Sequence, residues 1–192
     1  MKAYHHGDLR RALLDAAVDV LGESGPAALS LRELARRAGV SHAAPAHHFR
    51  DRAGLLTAVA IDGYRLLATE LAETRVRTGS FREMVVAYVE FAVRHRAHFE
   101  VMFSPDVLRS DDAELATVRA KLANAFDAAA RDLPDAPAVR DLPEASAADG
   151  GLAGWSTAQG VATLWLAGAL PRGSGRAPGA IARAVLSALD TR

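Results

Sequence analysis

The stretch GVSHAAPAHHFRDRAGLL, residues 39–56, gathers His42, His47 and His48, with Arg50, Asp51 and Arg52 behind them. Imidazoles in such numbers can ligate a metal, act as general bases or, beside arginines, hydrogen-bond a nucleic acid. Spacing argues against the metal. On a regular helix His42 and His47 lie roughly 140° apart around the axis, and His47 and His48 are adjacent. None of the pairs has the i, i+4 separation that puts two ligands on one face. Asp51 falls beyond the expected helix end, and the chain has no cysteine. His95 and His98 can share a face, but a pocket lining or solvated rim explains them better than a metal site. His5 and His6 sit too near the end to carry an argument; packing or disorder is the simpler reading, and a minor-groove arm the alternative.

Catalysis finds no better support. The sequence has no Gly-rich phosphate loop, no G-x-S-x-G and no paired carboxylates in a persuasive setting. Without cysteine there is also no thiolate nucleophile and no disulfide, which fits a reducing, cytoplasmic setting. Neither an enzyme nor a cofactor is expected.

The elements around the cluster read as helices throughout, because apolar residues recur at spacings of three and four and strict alternation never persists. The first helix runs from Asp8, a plausible N-cap, to about Glu23, with Leu9, Ala12, Leu13, Ala16, Ala17, Val20 and Leu21 on one stripe, and Gly25-Pro26 ends it. Ser30 and Glu33 form a capping box for a second helix whose inner face is Leu31, Leu34, Ala35 and Ala38. Gly39 closes it, and Ser41 caps a short third helix ending near Phe49 or Arg50. Pro45 then falls in a first turn, where few hydrogen bonds exist to lose. Further helices follow at Arg52 to about Thr74, Phe81 to about His95, His98–Phe103, Asp112–Arg131, about 151–170 and about 177–190, with residues 132–150 a loop of Pro, Ala, Asp and Gly. The fold class is all-α, with about nine helices.

Residues 30–50 thus show helix, glycine-containing turn, helix, the layout of a helix-turn-helix. Ala35, Val40 and Phe49 would bury the joint. The free N–H groups of the second helix would suit a phosphate, and the short Ala43, Ala44 and Ala46 would let its backbone approach base edges. Such corners also occur in all-α proteins that never meet DNA, so the pattern alone leaves both readings open. Charge agrees only weakly: residues 1–53 hold eight Lys or Arg against six Asp or Glu, within a chain of zero net charge.

Here the sequence resembles a known family. YHHGDLRRALLDAA and ALSLRELARRAGVSHAAPAHHFRDRAGLLTAVA are similar to the N-terminal domain of TetR-type (TetR/AcrR) transcriptional regulators over about residues 4–64. HFEVMFSP (98–105) and WSTAQG (155–160) further resemble a subgroup with a Trp-His-Gly-containing C-terminal domain, although Gln159 stands where histidine is usual. The resemblance implies a three-helix DNA-binding head over residues 1–52 and a larger effector-binding and dimerisation domain over 53–192. It implies a homodimer on a roughly palindromic double-stranded DNA operator, acting as a repressor released by a small apolar or amphipathic effector. Two helices of each C-terminal domain would form a four-helix bundle, and the fourth helix would carry the effector's signal to the heads. Ser30 and Arg32 match positions that touch phosphate; Ser41, His42, Ala43, Ala44, Ala46 and His47 belong to the groove-facing recognition helix; His48 matches a common histidine, and Arg52 a basic residue that anchors the fourth helix to phosphate. Ala46 departs from the pattern, because a tyrosine commonly reaches the DNA backbone from that position.

Tyr88, Phe91, Phe99, Met102, Phe103, Trp155 and Trp165 could line an apolar effector pocket, although each taken singly fits an ordinary core. A DNA-binding module without effector control is the alternative. Residues 150–171 carry no charge, but Gly, Ser, Thr and Gln dilute them, so no membrane span is expected. A helix so apolar needs cover on nearly all sides, and a second subunit would supply one face, with Ser156 and Gly160 allowing close approach and Ile181, Val185 and Leu189 adding apolar contact from the last helix.

Overall fold

The computed structural model describes residues 6–133, 135, 147–170 and 177–189, with side chains except at 6–8, 147 and 148. Among them are nine α-helices and no strand: α1 His6–Ala28, α2 Leu31–Ala38, α3 Ala43–Phe49, α4 Arg52–Thr78, α5 Phe81–Arg94, α6 Arg96–Met102, α7 Ala113–Asp132, α8 Ala147–Leu166 and α9 Pro178–Leu189, with a 3₁₀ turn at Pro105–Val107. The all-α expectation holds. Most of the expected 132–150 loop, together with His5 and Pro171, lies outside the described residues.

Local chemistry explains most boundaries. Gly25 takes φ 71° and ψ 176°, so α1 is interrupted where Gly25-Pro26 was expected to end it, and one more turn follows to Ala28. At its start the helix includes Asp8, which therefore lies inside the first turn instead of at the N-cap. Ser30 caps α2 by accepting the Glu33 N–H, and Ser80 caps α5 by accepting from Glu83. Gly39 adopts the left-handed conformation, φ 63° and ψ 34°, that only glycine enters without strain. Ser41 does not cap α3. His42 occupies the N-cap in a helical conformation with no side-chain cap bond, and Ser41 contributes its carbonyl to the Ala44 N–H at 3.0 Å.

The chain forms two compact units, Met1–Gly63 with Arg96–Ala116, and Tyr64–His95 with Thr117–Arg192. In the first, α1 packs on α2, α3 and α6. Its core holds Leu13, Ala17 and Val20 of α1, Leu34 and Ala35 of α2, Phe49 of α3, Leu55, Leu56 and Val59 of α4, and Phe99 and Met102 of α6, all buried. Gly63 exists as glycine because a Cβ there would stand 2.6 Å from the Met102 sulfur and 3.0 Å from the His98 Cβ. Buried His98 reaches Asp62 at 3.4 Å, and Asp62 also accepts from Arg11 at 3.1 Å, so α6, α4 and α1 share one polar junction.

In the second unit α5 is central. Met84 to Val89 are all buried, and the helix packs on α8 and α9. Gly154 of α8 lets the Phe81 ring lie directly against the α8 backbone. Within its own chain α8 is covered on one face, through Gly151, Gly154, Ala158, Val161 and Ala162, and it leaves Leu152 and Leu164 at 59% and 47% exposure, the side for which the sequence expects a second subunit. α5 is covered more fully: Arg82, Glu83, Glu90 and Val93 are half-buried, Arg94 is exposed, and its other residues are buried. Ser156 and Gly160 fall on the exposed part of α8. Among the described residues no helix is long and apolar enough to cross a membrane.

Candidate nucleic-acid interface

The α2–α3 pair is built from within. Leu34, Ala35, Pro45 and Phe49 turn inward and are buried, while Val40 is only half-buried at the turn. Buried Pro45 therefore packs α3 against its neighbours as well as fitting its first turn. The guanidinium of Arg10 lies 5.5 Å above the Phe49 ring, adding a cation–π contact from α1 to the end of α3.

What remains outside is polar and small. Ser30, Arg32, Ser41, His42, Ala43, Ala46 and His47 are exposed, and Ala44 and His48 half-buried. Ser30, Arg32, Glu33, Arg36 and His42 line one open concavity of about 440 Å³, so the α2 N-terminus and the α3 N-cap border the same space. Electrostatics within it are uneven. Glu33 accepts from Arg36 Nε at 2.8 Å and from Arg37 Nε at 2.9 Å, and Arg37 also donates to Glu23 at 2.7 Å. These bonds, that of Arg36 foremost, pull the Glu33 carboxyl down to about 2. Two α2 arginines are therefore matched by carboxylates, whereas Arg32 has no ion-pair partner among the described residues.

The histidines separate into two roles. His42 and His47 project from an exposed surface, while the His48 ring meets His47 edge-on at 5.4 Å and leans on Phe49 at 6.2 Å. Among the described residues no group of three or more His, Cys, Asp or Glu side chains could hold a metal ion.

Sequence reasoning missed the corner that joins α3 to α4. Arg50 has φ 68° and ψ −58°, the sole positive-φ residue other than glycine among the described residues. The Asp51 N–H donates to the Phe49 carbonyl at 2.8 Å across it, which makes a γ-turn of the rare, strained kind. Asp51 Oδ1 accepts the Gly54 N–H at 2.8 Å and so caps α4. Positive φ at an arginine leaves no compositional mark; the D-x-x-G pattern of residues 51–54 was the available signal. Arg52 also differs in its surroundings from the expected phosphate anchor. Its Nε and Nη2 donate to the Leu29 and Pro26 carbonyls at 3.1 and 2.7 Å. Arg50 itself is exposed and has no ion-pair partner among the described residues; its N–H bonds the Ala46 carbonyl at 2.8 Å.

The seven aromatic and Met positions considered for an effector divide between the units. Phe99, Met102 and Phe103 belong to the first, with the Phe99 and Phe103 rings 4.9 Å apart. Tyr88, Phe91, Trp155 and Trp165 belong to the second, where the Tyr88 hydroxyl donates to Gln159 Oε1 and accepts from Trp155 Nε1 at 3.3 Å. Phe126, which the sequence reading did not single out, stacks on Trp155 at 6.3 Å and meets Tyr88 edge-on at 6.0 Å. Tyr88, Phe91 and Phe126 are fully buried, and Trp155 and Trp165 partly so.

Comparison with known proteins adds to this geometry. Residues 13–59 match the family model described as bacterial regulatory proteins, tetR family, and residues 81–189 match the tetracyclin repressor-like C-terminal domain. Over 114 residues the chain is 32% identical to the HTH-type transcriptional regulator BetI of Rhizobium meliloti (strain 1021), covering 59% of this chain and 49% of that protein. The chain thus spans about half the length of that curated relative. A solved structure of a protein with unknown function from Rhodococcus sp. RHA1 superposes with a TM-score of 0.78 at 34% identity, covering 98% of this chain and 97% of the other. A bacterial regulatory protein in the tetR family from Rhodococcus RHA1 gives 0.70 at 19% identity over 94% of each chain, a likeness of fold alone.

Proposed function

This chain belongs to the TetR family of bacterial regulatory proteins, and from that premise we propose that it binds a double-stranded DNA operator through α2 and α3 and represses transcription from it. The observation that carries this reading is the division of the α2–α3 pair. Leu34, Ala35, Pro45 and Phe49 are turned inward, while Arg32, His42 and His47 stand exposed beside short alanines. That surface matches a helix pair that docks on a groove edge: Ser30 and Arg32 meet phosphate, and His42, Ala43, Ala44 and His47 face bases. Arg50, exposed beside the place where Ala46 supplies no reach, adds a backbone cation.

The finer reading follows the family plan. Residues 1–52 act as the head and 53–192 as the effector-binding and dimerisation domain; the protein works as a homodimer on a palindromic operator and is released by an apolar or amphipathic small molecule. Exposed Leu152, Leu164 and Leu189 on α8 and α9 support a second copy as the cover for those helices. The reading is of a regulator and not of an enzyme.

Selection of bound fragments from a random DNA pool tests the central claim. A palindromic consensus with half-sites about one helical turn apart is expected, and recovery of unselected sequence alone would refute operator recognition. Titration of Trp155 and Trp165 fluorescence against apolar metabolites tests the effector; silence across the series would leave a DNA-binding module without effector control.

A further inference from the structure

Arg109 lies in the segment between α6 and α7, outside the three helices of the proposed head, yet its Nη2 donates to Asp51 Oδ2 at 2.7 Å. Asp51 is the residue on which the α3–α4 corner turns. On one side its N–H closes the strained γ-turn over Arg50, and on the other its Oδ1 caps α4 through Gly54. The Gly54 amide, and after it the Arg109 guanidinium, hold the Asp51 carboxyl below its ordinary range, so it is ionised at working pH. The fit is close. A Cβ on Gly54 would run into the Phe49 carbonyl and come within 3.3 Å of Arg109 Cζ.

The main chain of Arg109 is fixed independently of its side chain. Its N–H donates at 3.0 Å to the hydroxyl of Thr57, which is buried in α4 and in turn donates to the Ala53 carbonyl at 2.8 Å. The guanidinium therefore hangs from an anchored backbone and reaches the corner from outside. A positive-φ arginine persists only where its neighbours over-determine it. Arg52, bonded to the end of α1, fixes the corner from one side; Arg109 fixes it from the other.

We propose that Arg109 is a positioning residue for operator binding: through Asp51 it holds the γ-turn corner, and hence the aim of α3, without itself touching DNA. This rests on the DNA-binding reading above. A residue that aims the recognition helix affects the discrimination between operator and unrelated DNA, whereas a phosphate ligand affects both alike and adds to the salt dependence.

The experiment measures dissociation constants for the selected operator and for unrelated duplex at several salt concentrations. For Arg109→Ala, operator binding is expected to weaken about fivefold, the most that a partly exposed ion pair supplies, with unrelated DNA and the salt slope unchanged. Arg109→Lys, which keeps the charge, should recover part of the loss, and it is the arm to read if Arg109→Ala melts below the assay temperature. Asp51→Asn retains a capping acceptor without the charge; adding Arg109→Ala to it should cost little more, because both changes break one link. Operator affinity unchanged in Arg109→Ala, or additive losses in the double variant, would overturn the proposal. So would a parallel loss on all DNA with a shallower salt slope, which would make Arg109 a phosphate ligand. A wild-type protein that selects no DNA would remove the operator reading and this one with it, a result distinct from all of these.

Discussion

Arg52 Nη2 donates to the carbonyl oxygen of Pro26 at 2.7 Å, and that bond joins the first residue of α4 to the turn that closes α1. With Nε on Leu29, two of the five guanidinium donors are used and three remain for a phosphate. The residue thus has a folding role beside its proposed DNA role, and the two separate experimentally. Arg52→Ala should lower stability by about 1–2 kcal/mol, since hydrogen bonds from a charged donor are lost. In DNA titrations below the melting temperature it should weaken all sequences and reduce the salt slope by about one. Lysine cannot span both carbonyls as a planar fork does, so Arg52→Lys should restore the slope more fully than the urea midpoint. A wild-type midpoint in Arg52→Ala would sink the folding role, and an unchanged slope the phosphate role.

Gly54→Ala inverts the ordinary helix rule. Alanine inside a helix is normally worth about 1 kcal/mol over glycine. At this position the added methyl meets the Phe49 carbonyl, which is backbone and already held in the γ-turn. The expected result is a loss of about 1–3 kcal/mol, the usual cost of overpacking. Gly22→Ala is the control: nothing stands within 4 Å of its Cβ, and a small gain is expected. Equal urea midpoints for the two variants would contradict the account.

These two sites show where the sequence was legible and where it was not. The Ser30 N-cap of α2, the left-handed Gly39 and the buried Ala35 and Phe49 were readable because each is a local rule with one residue type behind it, although the Glu33 carboxylate, expected to complete a capping box, bonds Arg36 and Arg37. The α3–α4 corner was not. Its γ-turn falls on an arginine, and Arg109 is 58 residues distant in sequence from the carboxylate it binds. Ser41 misled for a related reason: a good capping residue one position too early is indistinguishable by composition from a true cap. The apolarity of α8 was visible, but its cover is a tertiary fact, fixed where Gly154 meets Phe81 of α5 and Gly151 meets Asp127 of α7.

Tyr88→Phe tests the buried link between α5 and α8. Burial pushes the Tyr88 phenol up, so it stays neutral and remains a donor to Gln159 and an acceptor for Trp155. Deleting the hydroxyl strands a carbonyl and an indole N–H, and a loss of about 1–3 kcal/mol is expected. Trp155 emission should shift as its N–H loses the phenol oxygen. Gln159→His keeps an acceptor for the phenol, so it should cost less than Tyr88→Phe; a larger cost would mean that the glutamine amide matters for another reason.

Acid should weaken the first unit in a defined window. Glu33 sits at about 2 in the folded chain against an ordinary value of 4.5, held down by Arg36 and then Arg37. Asp62 is lowered from 3.8, first by His98 and, against the opposing effect of burial, by Arg11. A depressed folded value means that the unfolded chain takes up protons first. The stabilisation is therefore complete above about pH 4.5 and is lost as pH falls towards about 2. Glu33→Gln should flatten that acid limb in pH-dependent urea melts while leaving the Asp62 part in place. An acid limb identical to wild type would remove Glu33 from the account.

Gly160 lies on the exposed part of α8, and a Cβ there would meet nothing within 4 Å of the same chain. On propensity alone, Gly160→Ala should stabilise an isolated chain by about 1 kcal/mol. If α8 instead packs closely on the same helix of a partner, a side chain there holds the two backbones apart, and the bulkier Gly160→Leu does so more. The expected outcome is therefore opposite in sign for folding and association: an unchanged or higher melting point of the dilute protein, with a weaker dimer by sedimentation, graded from alanine to leucine. Leu152→Ser and Leu164→Ser, at exposed apolar positions of the same helix, should act in the same direction on association because they remove apolar area from the contact. Wild-type sedimentation as a monomer at micromolar concentration would remove the interface and, with it, the expectation of a palindromic operator.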